Sequence, residues 1–149
     1  MEYRKEMRKV IGKGRLLLCG AGCLIFNENN EVLLQKRSDD GLWGSIGGSI
    51  DLGEDIYECA KREVLEEAGL IVDNLEIFGI YSGEEQHHIY PNGDECYFVS
   101  IMFRTNDYKI ASKELDGESL EHKFFRLDEL PNDVNKLFIP VKRDLEKII

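Results

Sequence analysis

An α/β fold, with sheet layered against helices, follows from three features of this 149-residue chain. Strand-like and helix-like segments alternate along it, the order that builds layered α/β domains. A long apolar run, Arg15 to Phe26, has the form of a buried strand. A stretch free of Gly and Pro, residues 55–68, carries apolar residues spaced by four, the signature of a helix with one buried face. The length suits one domain, 1–149, with a short N-terminal helix.

Taken in order, residues 3–11 read as a basic helix anchored by Met7, Val10 and Ile11. Arg15 to Phe26 is the first strand, interrupted by Gly20 and Gly22, and Asn27 to Asn30 is a turn cluster. Glu31 to Arg37 alternates in part and reads as the returning strand of a hairpin. Ser38 to Leu42 is loop, and Trp43 to Gly53 is Gly-rich. A helix runs from Glu54 or Asp55 to Ala68: acids favour its N-terminus and Gly69 suits its C-cap. Leu75 to Tyr81 and Glu95 to Arg104 read as strands, separated by a polar loop, Ser82 to Asp94. A short strand, Lys123 to Leu127, and a helix, Val141 to Ile149, complete the chain.

The formal net charge of −10 disfavours a nucleic-acid polymer as partner, because phosphate-seeking surfaces are basic. An acidic protein acting on phosphates needs divalent cations to bridge the repulsion. No apolar run is long enough for a membrane span, and the N-terminus lacks signal-peptide form, so a cytoplasmic protein without a membrane partner is expected. Cys19 and Cys23 share one face of the first strand but stand roughly 13 Å apart. They are therefore expected to be buried free thiols, as are Cys59 and Cys96.

On the helix over 55–68, Ile56, Ala60, Val64 and Ala68 form the apolar stripe. Glu63 and Glu67 lie beside it, Glu66 one step further round, the three carboxylates spanning a fan of roughly 100°. Like charges at this spacing cost an isolated helix a few tenths of a kcal/mol. A hard cation between the oxygens reverses that repulsion, and three acids of this kind suit magnesium. A solvated acidic face is the competing reading.

The flanks decide between these readings. Gly48, Glu54, Arg62, Glu63, Val64, Glu66, Glu67, Gly69 and Leu70 match the Nudix box at every position, an identity that chance produces in about one chain in a million or fewer. The chain therefore resembles a Nudix hydrolase. The resemblance implies a mixed β-sheet sandwiched between helices (α/β/α). It also implies hydrolysis of a phosphoanhydride in a nucleoside diphosphate linked to another moiety, with ADP-ribose-like compounds and nucleoside triphosphates leading. The alternatives are a non-catalytic nucleotide-binding sensor of the same fold and an isomerase with a reactive cysteine.

By resemblance, Glu63, Glu66, Glu67 and the carbonyl of Gly47 bind Mg2+, with Mn2+ a substitute, and Arg62 pairs with Glu54 to hold the preceding loop. The family often has Leu-Pro before its glycine pair; this chain has Ser45-Ile46. The general base stays open between Glu66 and a downstream acid, Glu118 or Glu121. Trp43, Tyr81, His87, His88 and Tyr90 are available to contact a small-molecule nucleotide, with core or surface packing the alternative for each. Family members are often dimers, and a homodimer stays open.

Overall fold

The computed structural model describes residues 3–111 and 119–148. Its elements are α1 (Tyr3–Ile11), β1 (Leu16–Ile25), β2 (Val32–Arg37), β3 (Trp43–Gly44), β4 (Ile46–Ser49), α2 (Ile56–Ala68), β5 (Leu70–Asp73), β6 (Glu76–Tyr81), β7 (His87–Ile89), β8 (Glu95–Thr105), β9 (Asp107–Ile110), β10 (Ser119–Phe125) and α3 (Ile139–Lys147). β1 is the centre of a mixed sheet. It pairs in parallel with β8 from Leu16↔Cys96 to Ile25↔Thr105, and antiparallel with β4 on its other edge. β6 and β7 both pair antiparallel with β8. A second sheet is ordered β10-β2-β3, and β5 with β9 forms a two-stranded ribbon.

Alternation along β1 explains the layers. Ala21, Cys23 and Ile25 point to one face, where α2 packs with Cys59, Ala60 and Val64. Leu24 points to the other, against Val141 and Leu145 of α3. Leu16 and Leu18 share that second face nearer the strand's start and meet Tyr3 and Met7 of α1. Fully buried side chains such as Phe103, Ile46 and Val64 each contribute about 1.5–3 kcal/mol of transfer free energy. α1 is anchored by Tyr3 and Met7; Val10 and Ile11, the other expected anchors, are exposed.

α2 begins and ends where local chemistry dictates. The Asp55 side chain accepts the N–H groups of Tyr57 and Glu58 at 2.9 and 3.3 Å, and Gly69 closes the helix in the left-handed region at φ 66°. α3 starts two residues earlier than the sequence reading, with Pro140 in its first turn, where a missing N–H has no partner to lose. β10 likewise begins at Ser119 rather than Lys123. The predicted loop over 82–94 contains a strand, β7, because its backbone finds Glu95 to Tyr97 of β8 as partners. β5 and β9 form through pairing between residues 34 to 40 positions apart, which no local pattern announces. Cys19 is exposed, correcting the expectation of burial: α2 covers only the later part of its face of β1. All four cysteines are free.

Candidate active site

α2 runs beside β4, and its glutamates help to line a cleft of about 320 Å³ on the sheet. Gly20 and Gly22 of β1 with Ser100 and Met102 of β8 form part of the lining, joined by Arg4 of α1 and by Phe138. Absence of side chains at the two glycines keeps that surface low.

Each box acid sits in a distinct environment. Glu67 is only 2% exposed. Its Oε2 accepts the Gly47 N–H at 3.0 Å and its Oε1 accepts the Gln35 side-chain amide at 3.2 Å, with Arg37 Nη1 at 4.0 Å. A buried carboxylate is tolerated because donors surround it. Glu63 is mostly covered and lies against Gly48: a Cβ built there would fall 2.5 Å from the carboxyl carbon. Gly48 is thus a cradle for that carboxylate. Glu66 is half exposed.

Arg62 stitches this wall together. Its Nε and Nη2 bind both oxygens of Glu54 at 2.7 and 3.0 Å, the two-pronged geometry available to guanidinium and not to ammonium. Nη2 also donates to the Ser49 carbonyl at 3.1 Å, and Nη1 reaches Glu63 at 2.9 Å and Glu66 at 3.4 Å. Glu54 in turn accepts the Asp51 N–H at 3.1 Å. The loop before α2 is therefore tied to the helix.

The Arg62 hydrogen bond holds the Glu54 carboxyl below its usual range, against the opposing effect of burial. A depressed carboxylate stabilises the fold fully above the unfolded value, near pH 4.5, and that contribution is lost as pH falls through the folded value. Thermal midpoints of the wild type and Glu54→Gln should therefore converge below about pH 4.5; a gap independent of pH would contradict the clamp.

Among the described residues no three His, Cys, Asp or Glu side chains converge on one point, since Arg62 lies between Glu63 and Glu66. The donors nonetheless fit a hard cation in kind: carboxylate and carbonyl oxygens at one wall, with Glu66 exposed enough to swing away from Arg62.

The other predicted residues divide. Tyr90 and His88 line the cleft, their rings edge to face at 4.5 Å, and burial lowers the His88 pKa. Tyr81 lines it too, but is buried and its hydroxyl donates to Asp144 at 2.7 Å. Trp43 does not reach the cleft. It is 7% exposed and packs edge-on against Phe125, because β3 pairs with β2 inside the second core. His87 is taken up by Glu95 at 2.7 Å. Glu121 is exposed on β10 opposite Lys36 and does not line the cleft. Glu118 lies outside the described residues. Burial pushes the Cys59 thiol up to about 12 and Cys96 is buried, so neither has the activated character a cysteine mechanism requires.

The sequence reading missed Arg4, Gln35, Arg37 and Asn135. Gln35 left a signal, a polar residue closing the apolar run Val32-Leu33-Leu34. Arg4, Arg37 and Asn135 reach the cleft only through tertiary contacts.

The NUDIX domain family matches residues 17–145. An ADP-ribose pyrophosphatase of Methanocaldococcus jannaschii is 32% identical, over 87% of this chain and 76% of that protein. A Bacillus subtilis protein, provisionally named an 8-oxo-dGTP diphosphatase, is 40% identical over 46% of this chain. The chain spans 48% of that protein, and 22% of a Bifidobacterium longum nucleoside triphosphate pyrophosphatase/Nudix hydrolase fusion protein to which it is 32% identical over 76% of its own length. The crystal structure of a MutT protein from Methanosarcina mazei superposes with a TM-score of 0.70 at 24% identity, covering 90% of this chain and 96% of that one.

Proposed function

The chain belongs to the NUDIX family, and from that premise we propose that it is a divalent-metal-dependent hydrolase of a phosphoanhydride bond in a nucleoside diphosphate joined to another group. The observation that carries this reading is the set of three glutamates of α2 on the cleft wall, with Arg62 and Glu54 bracing the loop beside them. The relatives named as an ADP-ribose pyrophosphatase and an 8-oxo-dGTP diphosphatase support nucleotide substrates.

Glu63, Glu66, Glu67 and the Gly47 carbonyl would hold the metal. Bound there, it would neutralise charge on the diphosphate and lower the pKa of an attacking water. Gly47 N–H and Gln35 fix the orientation of Glu67, so its oxygens need no reorganisation when substrate binds. Arg62 fixes Glu63 and keeps β4 and the loop that follows it against α2 through Ser49 and Glu54. Glu66, the most exposed of the three, has the freedom to take a proton from water, and is the described residue best suited to act as general base. Apolar side chains in the lining, Phe138 and Met102 among them, offer surface for a nucleobase.

The test is a hydrolysis screen with magnesium, then manganese, over ADP-ribose, nucleotide sugars, dinucleoside polyphosphates, and normal and oxidised nucleoside triphosphates. Metal-dependent release of a nucleoside monophosphate from at least one substrate is expected. Nucleotide binding without cleavage at any metal would point to a sensor instead.

A further inference from the structure

α2 covers only part of one face of the central sheet. Residues paired across neighbouring strands point to the same side, and alternate residues share a face. Leu17 and Cys19 of β1 therefore lie on one face with Tyr97 and Val99 of β8, His87 and Ile89 of β7, and Ile77 and Ile80 of β6. Further along, the same face holds Ala21, Cys23 and Phe103, which pack with α2 in the core. The earlier part stays open. Leu17, Ile80, Ile89 and Ile77 are 70%, 65%, 58% and 56% exposed, and Cys19 is exposed with them. The cleft lies on the opposite face, lined by the alternating positions Gly20, Gly22, Ser100 and Met102.

A sheet face that meets water alternates to polar side chains; this one presents Leu, Cys, Val and Ile instead. Apolar residues scattered singly over a surface need no account, but these are neighbours in the strand register. Together they present roughly 500 Å² of apolar surface, in the upper range for a monomer and more than half of the about 800 Å² that each partner gives to a standard interface. Glu95, the charged member of the β8 series on this face, stands at its end and is engaged by His87 at 2.7 Å.

Charge selects the occupant. Two copies of a chain of net charge −10 repel over most of their surfaces. Contact between their two uncharged sheet faces brings apolar side chains together without juxtaposing acids. A twofold axis needs only one such patch, because the same residues serve on both sides. Sheet faces also pack well on one another, about 10 Å apart with their strands roughly 30° off alignment.

We propose that this face is the interface of a homodimer, in which two copies pack sheet on sheet about a twofold axis and bury Leu17 and Ile80. Each cleft, on the far side of its own sheet, stays open.

Two measurements test the dimer. Light scattering at micromolar concentration should give the wild type a mass near twice that of one chain. Leu17→Arg and Ile80→Arg place a charge in the contact and should each give a monomer. Both side chains are largely exposed in the single chain, so thermal midpoints measured on the monomeric variants should show a retained fold. A monomeric wild type, or a dimer that survives both substitutions, overturns the proposal. The second measurement needs no substitution. Cys19 is exposed whereas Cys23, Cys59 and Cys96 are buried, so a maleimide reports on this face. Its rate of reaction with Cys19 should fall severalfold as wild-type protein is raised from nanomolar to micromolar concentration. A rate independent of protein concentration overturns the proposal and leaves the face to a partner of another kind.

Discussion

Glu67→Gln should lower kcat by roughly 10²–10³-fold, the scale seen when one preorganised group acting on transition-state charge is removed. The substitution is nearly isosteric, so the carboxylate's charge is the main loss. A smaller effect on the fold follows from hydrogen-bond arithmetic. Glu67 accepts from two donors, the Gly47 N–H and the Gln35 amide. An amide offers one oxygen and one NH2, so a donor meets a donor at one of these contacts, at a cost of about 1–3 kcal/mol. Thermal unfolding should show a folded protein with a reduced midpoint, and turnover measured well below that midpoint should still be lost. Turnover near that of the wild type would remove Glu67 from the chemistry.

The adjacent glycines should respond in opposite ways to alanine. Neither lies in the left-handed region, so space decides the outcome. A Cβ at Gly47 would stand 2.5 Å from the Ala21 carbonyl oxygen and 2.6 Å from Gly22 Cα, both backbone atoms of the central strand. Gly47→Ala must separate β4 from β1, and a loss of about 1–3 kcal/mol or more is expected. The three nearest atoms to a Cβ at Gly48 would all belong to the Glu63 carboxylate, at 2.5 to 2.7 Å. That group sits at the end of a flexible side chain and can swing aside. Gly48→Ala should keep most of its stability while losing about tenfold or more in turnover, because a displaced Glu63 leaves the wall it shares with Glu67. Urea unfolding beside steady-state kinetics separates the two variants. Full activity in Gly48→Ala would show that the position of Glu63 does not matter.

The sequence by itself determined the layered α/β class, the family resemblance and the helix that carries the acids. These are local properties: a stripe of apolar residues spaced by four, an Asp that caps the first turn, a Gly that accepts φ 66° at the last. Fixed spacing within residues 48–70 was enough to set Glu54 and Arg62 eight positions apart, on either side of the helix start, where the guanidinium grips the carboxylate.

What only the tertiary structure decided rests on contacts between distant residues. β7 exists because β8 offers its edge, and the β5–β9 ribbon because Leu70 meets Ile110. Trp43 was open to either role, stacking platform or packing residue, and pairing of β3 with β2 turns it into the core. The neutral surface within the cleft required Gly20 and Gly22 to lie beside Ser100 and Met102 in parallel register. Arg4 belonged to a basic helix with no place at the site in the sequence reading; the Tyr3–Asp51 link, spanning 48 positions, brings that helix to the cleft. Local propensity determines which residues share a face; chain closure over long separations determines what that face meets.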